Sequence, residues 1–180
     1  EADLKFLADS YQDLLRNFPE QLNRELRFKL AHGLVLFSRK GYWNEIVAIK
    51  FFLDLLALKD KEIRSLIFKH MVQLIDKVDH NGRKSEVHKE LMDHITERSR
   101  DTDHGYSKNI FKLLVALMKK QIWKDSKAAN LIAEGTYHDK ADIVILCCRF
   151  LIENVDNDDL EISSDEEEGK KATLKMGKKA

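Results

Sequence analysis

Proline, cysteine and long apolar runs are scarce in this sequence, and each scarcity excludes a class of protein. Pro19 is the only proline and there are seven glycines in 180 residues, so the signals that separate strands are few and long helices are favoured. Cys147 and Cys148 are adjacent, and neighbouring cysteines rarely pair. We interpret them as reduced core thiols of an intracellular protein. No apolar run approaches the ~18 residues needed to cross a membrane.

The sequence also lacks the patterns that catalysis and metal binding require. It contains seven histidines, but no Cys-x-x-Cys or His-x-x-x-His pair, and His88 and His94 fall on different sides of a helix. There is no glycine-rich phosphate loop. The paired carboxylates lie in predicted loops or in the tail, where nothing would exclude water and shift their pKa values. We therefore predict no enzymatic activity, no cofactor and no metal.

Charge is distributed unevenly, although the formal net charge is zero. Beyond residue 154 the chain is first acidic and then rich in lysine. Such blocks are too hydrophilic to repay the entropy of ordering, so we predict a helical-repeat domain in 1–154 and a disordered tail or linker in 155–180. This tail could be only a solvated linker, or its lysines could touch RNA. Ser163 and Ser164 each precede a carboxylate by three residues, which predicts phosphorylation by acid-directed kinases.

Apolar residues recur with helical spacing throughout the first 154 residues. Residues 61–79 hold the i, i+3, i+4, i+7 series for four turns, behind Asp60 as a predicted N-cap. His70 lies on that apolar stripe, so we predict a buried core histidine rather than a ligand. Residues 48–58 and 143–151 are apolar nearly all round, which predicts helices covered on both sides. The predicted helices lie near 2–17, 20–40, 43–58, 61–79, 85–99, 106–121, 125–135 and 139–153.

Two segments separated by 80 residues share one pattern. FSRKGYWNEIVA at 37–48 and LMKKQIWKDSKA at 117–128 each contain a basic pair, a bulky apolar residue, a tryptophan, a polar residue and an acid. The offset is twice the ~40-residue period of stacked helix pairs. We therefore predict an all-α fold, an α-solenoid of antiparallel helix pairs of the HEAT or armadillo kind. The alternative is an irregular helical bundle.

Trp43 and Trp123 each follow the basic end of one helix and open the next. In one interpretation the rings wedge the turns and pack in the core, while the nearby cations offset the helix C-terminal dipole. In the other, these cations line one edge of the array, because turns of successive repeats fall on the same edge. There they would contact protein or RNA phosphates. The cations are Arg39, Lys40, Lys119, Lys120, Lys124 and Lys127.

Several of these segments resemble one known family. RSRDTDHGYSKNIFKLLVALM followed by KKQIWKDSKAANLIAEGTYHDKADIVILCCRFLI is similar to the severe-depolymerisation-of-actin protein family of eukaryotes, as are LLRNFPEQLNRELRFKLAHGLVLFSRKG and FFLDLLALKDKEIRSLIFKHMVQLI. The motif of that family spans Lys119 to Lys127, with Arg100-Asp101 before the preceding helix. Lys124 stands where the family more often has asparagine. The chain lacks the family's first helices and its long basic C-terminal region, so we take it as an amino-terminal part.

The resemblance implies a non-enzymatic scaffold of ribosome biogenesis. Such a protein would lie in the nucleus and nucleolus, associate with precursor large-subunit particles, and be needed for their maturation and nuclear export. Its partners would be pre-ribosomal proteins and, as a further candidate, ribosomal RNA. No membrane, small-molecule substrate or homo-oligomer is expected. The alternative is a nuclear transport adaptor that holds a peptide in the solenoid groove, but acidic residues or an Asn-Trp ladder at regular spacing are not found.

Overall fold

The structure is a computed structural model, and it describes residues 2–80, 84–101 and 103–152. Within these ranges it contains eight α-helices and no strand. The predicted tail at 155–180 and its two phosphorylation sites, Ser163 and Ser164, lie outside the described residues. The helices are α1 (Ala2–Asn17), α2 (Arg24–Arg39), α3 (Glu45–Leu55), α4 (Lys61–His80), α5 (Lys84–Ser99), α6 (His104–Lys119), α7 (Ser126–Gly135) and α8 (Ala141–Ile152).

Side-chain caps fix where the helices begin. Asn23 accepts a hydrogen bond from the Leu26 N–H at 2.7 Å, so α2 begins at Arg24 and not near residue 20 as predicted. Asn44 caps α3 in the same way, which moves its start two residues beyond Trp43. The predicted cap at Asp60 is confirmed, because its carboxylate accepts from the second and third N–H groups of the following segment.

The helices pack as four successive pairs: α1 with α2, α3 with α4, α5 with α6, and α7 with α8. The second helices of the pairs contact one another in chain order, and we call α2, α4, α6 and α8 the even layer. On the other side α3, α5 and α7 contact one another in the same order. This two-layer order confirms the predicted α-solenoid and excludes the irregular bundle.

Ion pairs show how the helices run. Lys77, near the end of α4, meets Glu45 at the start of α3 at 2.8 Å, so the two helices of this pair are antiparallel. Between repeats the pairing is parallel, with start matched to start and end to end. Because most of these pairs are exposed, each stabilises the fold by at most about 1 kcal/mol and chiefly fixes the register. The inter-repeat pairs are Arg24–Glu62, Lys50–Glu90, Asp54–Arg98, Arg100–Glu134 and Lys108–Asp142.

One continuous apolar core runs between the two layers and includes Leu34, Phe52, Met71 and Leu114. Helix α3 is covered on both sides as predicted, with most of its apolar side chains buried. The same prediction was wrong for α8, where Ile145, Leu151 and Ile152 are exposed. The physical reason is position, since α8 is the last helix of the even layer within the described ranges and has a neighbour on only one side.

His70 is buried in this core, with 2% of its surface exposed, as predicted. Its Nε2 lies 3.0 Å from the Ser38 hydroxyl, and its ring meets Phe52 edge-on at 5.3 Å between centroids. Burial lowers the pKa of His70 to about 4, and the nearby charge of Arg39 acts in the same direction. The imidazole therefore stays neutral in the fold at a pH where the unfolded chain protonates it.

We expect the free energy of unfolding to fall as the pH drops from 6.5 toward about 4, the two pKa limits of His70. In this window the unfolded chain binds more protons, so the stabilisation that is complete above the upper limit is progressively lost. His70→Gln should remove this part of the pH dependence, up to about 3 kcal/mol. Urea denaturation of both proteins at a series of pH values measures it.

The control is His32→Gln, which replaces an exposed histidine of α2 and should leave the pH dependence of wild type intact. Equal pH dependences for wild type and His70→Gln would contradict the assignment of the effect to His70.

Candidate functional site

The turn between α2 and α3 is closed by one left-handed residue. Gly41 has φ of 75°, and its N–H donates to the Ser38 carbonyl at 3.1 Å. The next N–H, that of Tyr42, donates to the Phe37 carbonyl at 3.1 Å. These two bonds form a Schellman motif, which satisfies the last carbonyls of α2 and sets the direction of the chain toward α3.

The turn between α6 and α7 has the same geometry. Gln121 has φ of 59° and donates its N–H to the Met118 carbonyl at 3.0 Å, while the Ile122 N–H donates to the Leu117 carbonyl at 3.0 Å. Gln121 takes the place of Gly41 in the 80-residue pattern. Sequence pattern and backbone therefore coincide, and we call these two segments the tryptophan turns.

Gln121→Gly is expected to raise the free energy of unfolding by about 0.5–1 kcal/mol. A Cβ in the left-handed region costs about 1–2 kcal/mol, of which part is offset by the greater entropy that glycine loses on folding. The converse change, Gly41→Ala, should destabilise by a similar amount. No atom lies within 4 Å of the added Cβ, so only the backbone conformation is tested. Chemical denaturation measures both, and a loss of stability in Gln121→Gly would contradict the assignment.

Both tryptophan rings lie beneath their turns. Trp43 is 9% exposed and packs on Phe51 and Phe52 with centroid distances of 5.6 and 5.5 Å. Trp123 is 2% exposed and meets the His88 ring edge-on at 4.7 Å. The rings thus join each turn to the core and are not available as surface contacts.

The acid two residues after each tryptophan is held by a neighbouring helix. Glu45 pairs with Lys77 of α4 at 2.8 Å. Asp125 Oδ2 lies 3.0 Å from Nε2 of His88 in α5, a charge contact without the alignment of a hydrogen bond, while its Oδ1 accepts from the Ala128 N–H at 2.9 Å and caps α7. The carboxylates at these turns are therefore already engaged.

The cations of the tryptophan turns point outward. Lys119 is partly exposed and the other five are exposed, and none of the six makes an ion pair with a residue in the described part of the chain. We call this set the basic edge. It consists of Arg39, Lys40, Lys119, Lys120, Lys124 and Lys127.

Topology brings the two halves of the basic edge to the same side of the solenoid. Arg39 and Lys40 end α2, whereas Lys119 and Lys120 end α6, and the helices of the even layer run parallel with α4 between them. Neighbouring helix axes lie about 8–10 Å apart, so the halves are separated by roughly 16–20 Å. An extended polyanion can span such a distance, whereas a small ligand cannot.

Comparison with known proteins identifies the family. A family model described as "SDA1, HEAT repeat" matches residues 1–180. The chain belongs to the SDA1 family. This confirms the resemblance seen in the sequence, and it makes the solenoid a HEAT-repeat domain.

The relatives of this HEAT-repeat domain are spread across eukaryotes. The Protein SDA1 homolog of Dictyostelium discoideum is 29% identical over 169 residues, which cover 94% of this chain and 22% of the relative. The homolog of Nematostella vectensis is 24% identical and covers 88% of the chain and 24% of its own length. Protein SDA1 of Chaetomium thermophilum is 25% identical and covers 81% and 21%. The chain thus spans roughly a fifth to a quarter of the curated relatives it matches.

Other chemistry is limited in this SDA1-family domain. In the described ranges no three His, Cys, Asp or Glu side chains are grouped to hold a metal ion. A search of the same residues found no helix with the length and apolar content of a membrane span. Burial raises the pKa of the Cys147 thiol to about 11, and Cys148 beside it acts in the same direction, so Cys147 is not a reactive thiolate.

Sequence reasoning missed one residue at the basic edge. Tyr42 directly precedes buried Trp43, yet 46% of its surface is exposed. Ile122 at the equivalent position packs partly against the core. The available signal was the residue type, since tyrosine tolerates an exposed position next to cations better than isoleucine does.

Proposed function

We propose that this SDA1-family chain is part of a non-enzymatic HEAT-repeat scaffold in ribosome biogenesis. It associates with precursor large-subunit particles in the nucleus and nucleolus and is needed for their maturation and nuclear export. Its partners are pre-ribosomal proteins and ribosomal RNA. The observation that carries the proposal is the basic edge, where two equivalent turns display cations that no described acid neutralises, in a chain whose family resemblance implies this role.

A pre-ribosomal particle has the chemistry that fits such an edge. RNA phosphates present a dense array of negative charge, and exposed cations bind it through electrostatics that need no sequence reading. A stack of helix pairs holds its turns in fixed register, so cations from separate repeats can contact one extended surface together. The acids beside them, Glu45 and Asp125, are engaged within the fold and do not oppose this binding.

Sedimentation of the tagged full-length protein in nuclear extract tests the proposal. We expect it to migrate with precursors of the large subunit, and to leave those fractions when the salt concentration is raised, because phosphate contacts weaken with salt. Depletion of the protein should cause large-subunit precursors to accumulate in the nucleus. Migration with transport receptors alone would overturn the scaffold and favour the nuclear transport adaptor.

A further inference from the structure

Tyr42 presents an aromatic ring on a rigid base. Its N–H is bound to the Phe37 carbonyl in the Schellman motif, and the next residue, Trp43, is packed against two phenylalanines of α3. The backbone that carries the ring is therefore fixed from both directions. An exposed ring on a fixed backbone loses little conformational entropy when a ligand stacks on it.

Charge surrounds this ring on the side of α2. Arg39 and Lys40, which precede the turn, are both exposed. The polar groups that follow are occupied, since the Asn44 side chain caps α3 and Glu45 pairs with Lys77. The positive charge of Arg39 is also felt in the core, where it opposes protonation of His70. The turn thus combines one aromatic face with two cations that no described acid neutralises.

We propose that Tyr42, Arg39 and Lys40 form a binding site for single-stranded RNA. Tyr42 stacks on an unpaired base, and the two cations contact the phosphates that flank it. The inference rests on the proposed function and names RNA as the ligand at this half of the basic edge. The second tryptophan turn, which has Ile122 in place of the tyrosine, supplies charge without stacking.

RNA fits this site better than an acidic protein segment does. An acidic peptide would use the two cations but has no planar group that needs the Tyr42 ring. Double-stranded RNA would also satisfy the cations, but its bases are stacked inside the helix and cannot reach the ring. Only an unpaired strand offers phosphates and free base faces together. Stacking of this kind tolerates any base, so we expect little sequence preference.

Fluorescence anisotropy with the 180-residue chain tests the inference, with a short, unstructured, labelled oligoribonucleotide as the probe and a duplex of the same length for comparison. Tyr42→Ala should weaken binding of the single strand about fivefold to a hundredfold, the range that corresponds to loss of one base–aromatic stack. Tyr42→Phe keeps the ring and should bind as wild type does. Duplex binding should not depend on residue 42.

The matched control is Tyr137→Ala. Tyr137 is 90% exposed in the turn between α7 and α8, at the opposite edge, and its loss should not change binding. The double variant Arg39→Gln, Lys40→Gln should weaken binding of single strand and duplex alike. This variant keeps the test open if Tyr42→Ala proves unstable on thermal melting.

Two results would overturn the inference: equal affinity of Tyr42→Ala and wild type for the single strand, or equally effective competition by polyglutamate, which would indicate an acidic protein partner. Either result, together with co-migration of the full-length protein with large-subunit precursors, would remove this site and leave the proposed function standing.

Discussion

Trp123→Ala is expected to lower the free energy of unfolding by about 3–5 kcal/mol, the cost of truncating a buried aromatic side chain. The ring is 2% exposed, and it contacts His88 of the preceding repeat at 4.7 Å. Its removal leaves a cavity under the α6–α7 turn and takes away a contact between α5 and that turn. Chemical denaturation of the two proteins measures the difference.

The control for this change is Tyr137→Ala, which removes a large aromatic side chain that is 90% exposed and should alter stability by less than about 0.5 kcal/mol. An unchanged melting temperature for Trp123→Ala would contradict the burial of the ring and would instead make Trp123 a surface contact residue.

Reversal of three charges at the basic edge is expected to weaken association with precursor particles at least tenfold, because each lost cation removes a salt-dependent phosphate contact, worth about 1 kcal/mol or more, and each new acid repels the phosphates. The variant is Lys119→Glu, Lys120→Glu, Lys124→Glu. Its fold should persist, with a loss of about 1–2 kcal/mol at most, since two of the lysines favour the C-terminal dipole of α6. Co-sedimentation of the full-length protein measures the association.

The matched control reverses the same number of charges at the opposite edge. Lys59, Lys61 and Lys140 are exposed and lie in or beside the α3–α4 and α7–α8 turns. Their replacement by glutamate produces the same net charge and should leave particle association near that of wild type. Equal losses in both variants would show that net charge governs association, and full association of the first variant would show that the basic edge is not the contact.

The sequence predicted the eight helices and their layered order because apolar spacing and turn residues are local signals. The helix ends needed more information. Phe18-Pro19 marked the break before α2, but the chain runs on to Asn23, whose side chain caps the helix. Trp43 looked like the first residue of α3, yet its ring is drawn into the core and Asn44 takes the capping position. Tertiary packing decided between adjacent polar candidates in both cases.

The register between repeats could not be predicted. Lys50 and Glu90 are 40 residues apart, and only the order of helices within a layer makes them partners. The exposure of Tyr42 and the left-handed backbone of Gln121 were hidden for a related reason, because the 80-residue pattern showed equivalent positions but not which side chain faces solvent. The positions of the cations followed from the repeat itself, since residues at equivalent turns must lie at one edge.

A density map of a large-subunit precursor, purified through the tagged full-length protein, tests the central claim most directly. We expect this HEAT-repeat domain to contact the particle through the edge formed by the α2–α3 and α6–α7 turns, with Lys40 and Lys120 close to RNA phosphates. A map in which that edge faces solvent, or particles that lack the domain altogether, would contradict it.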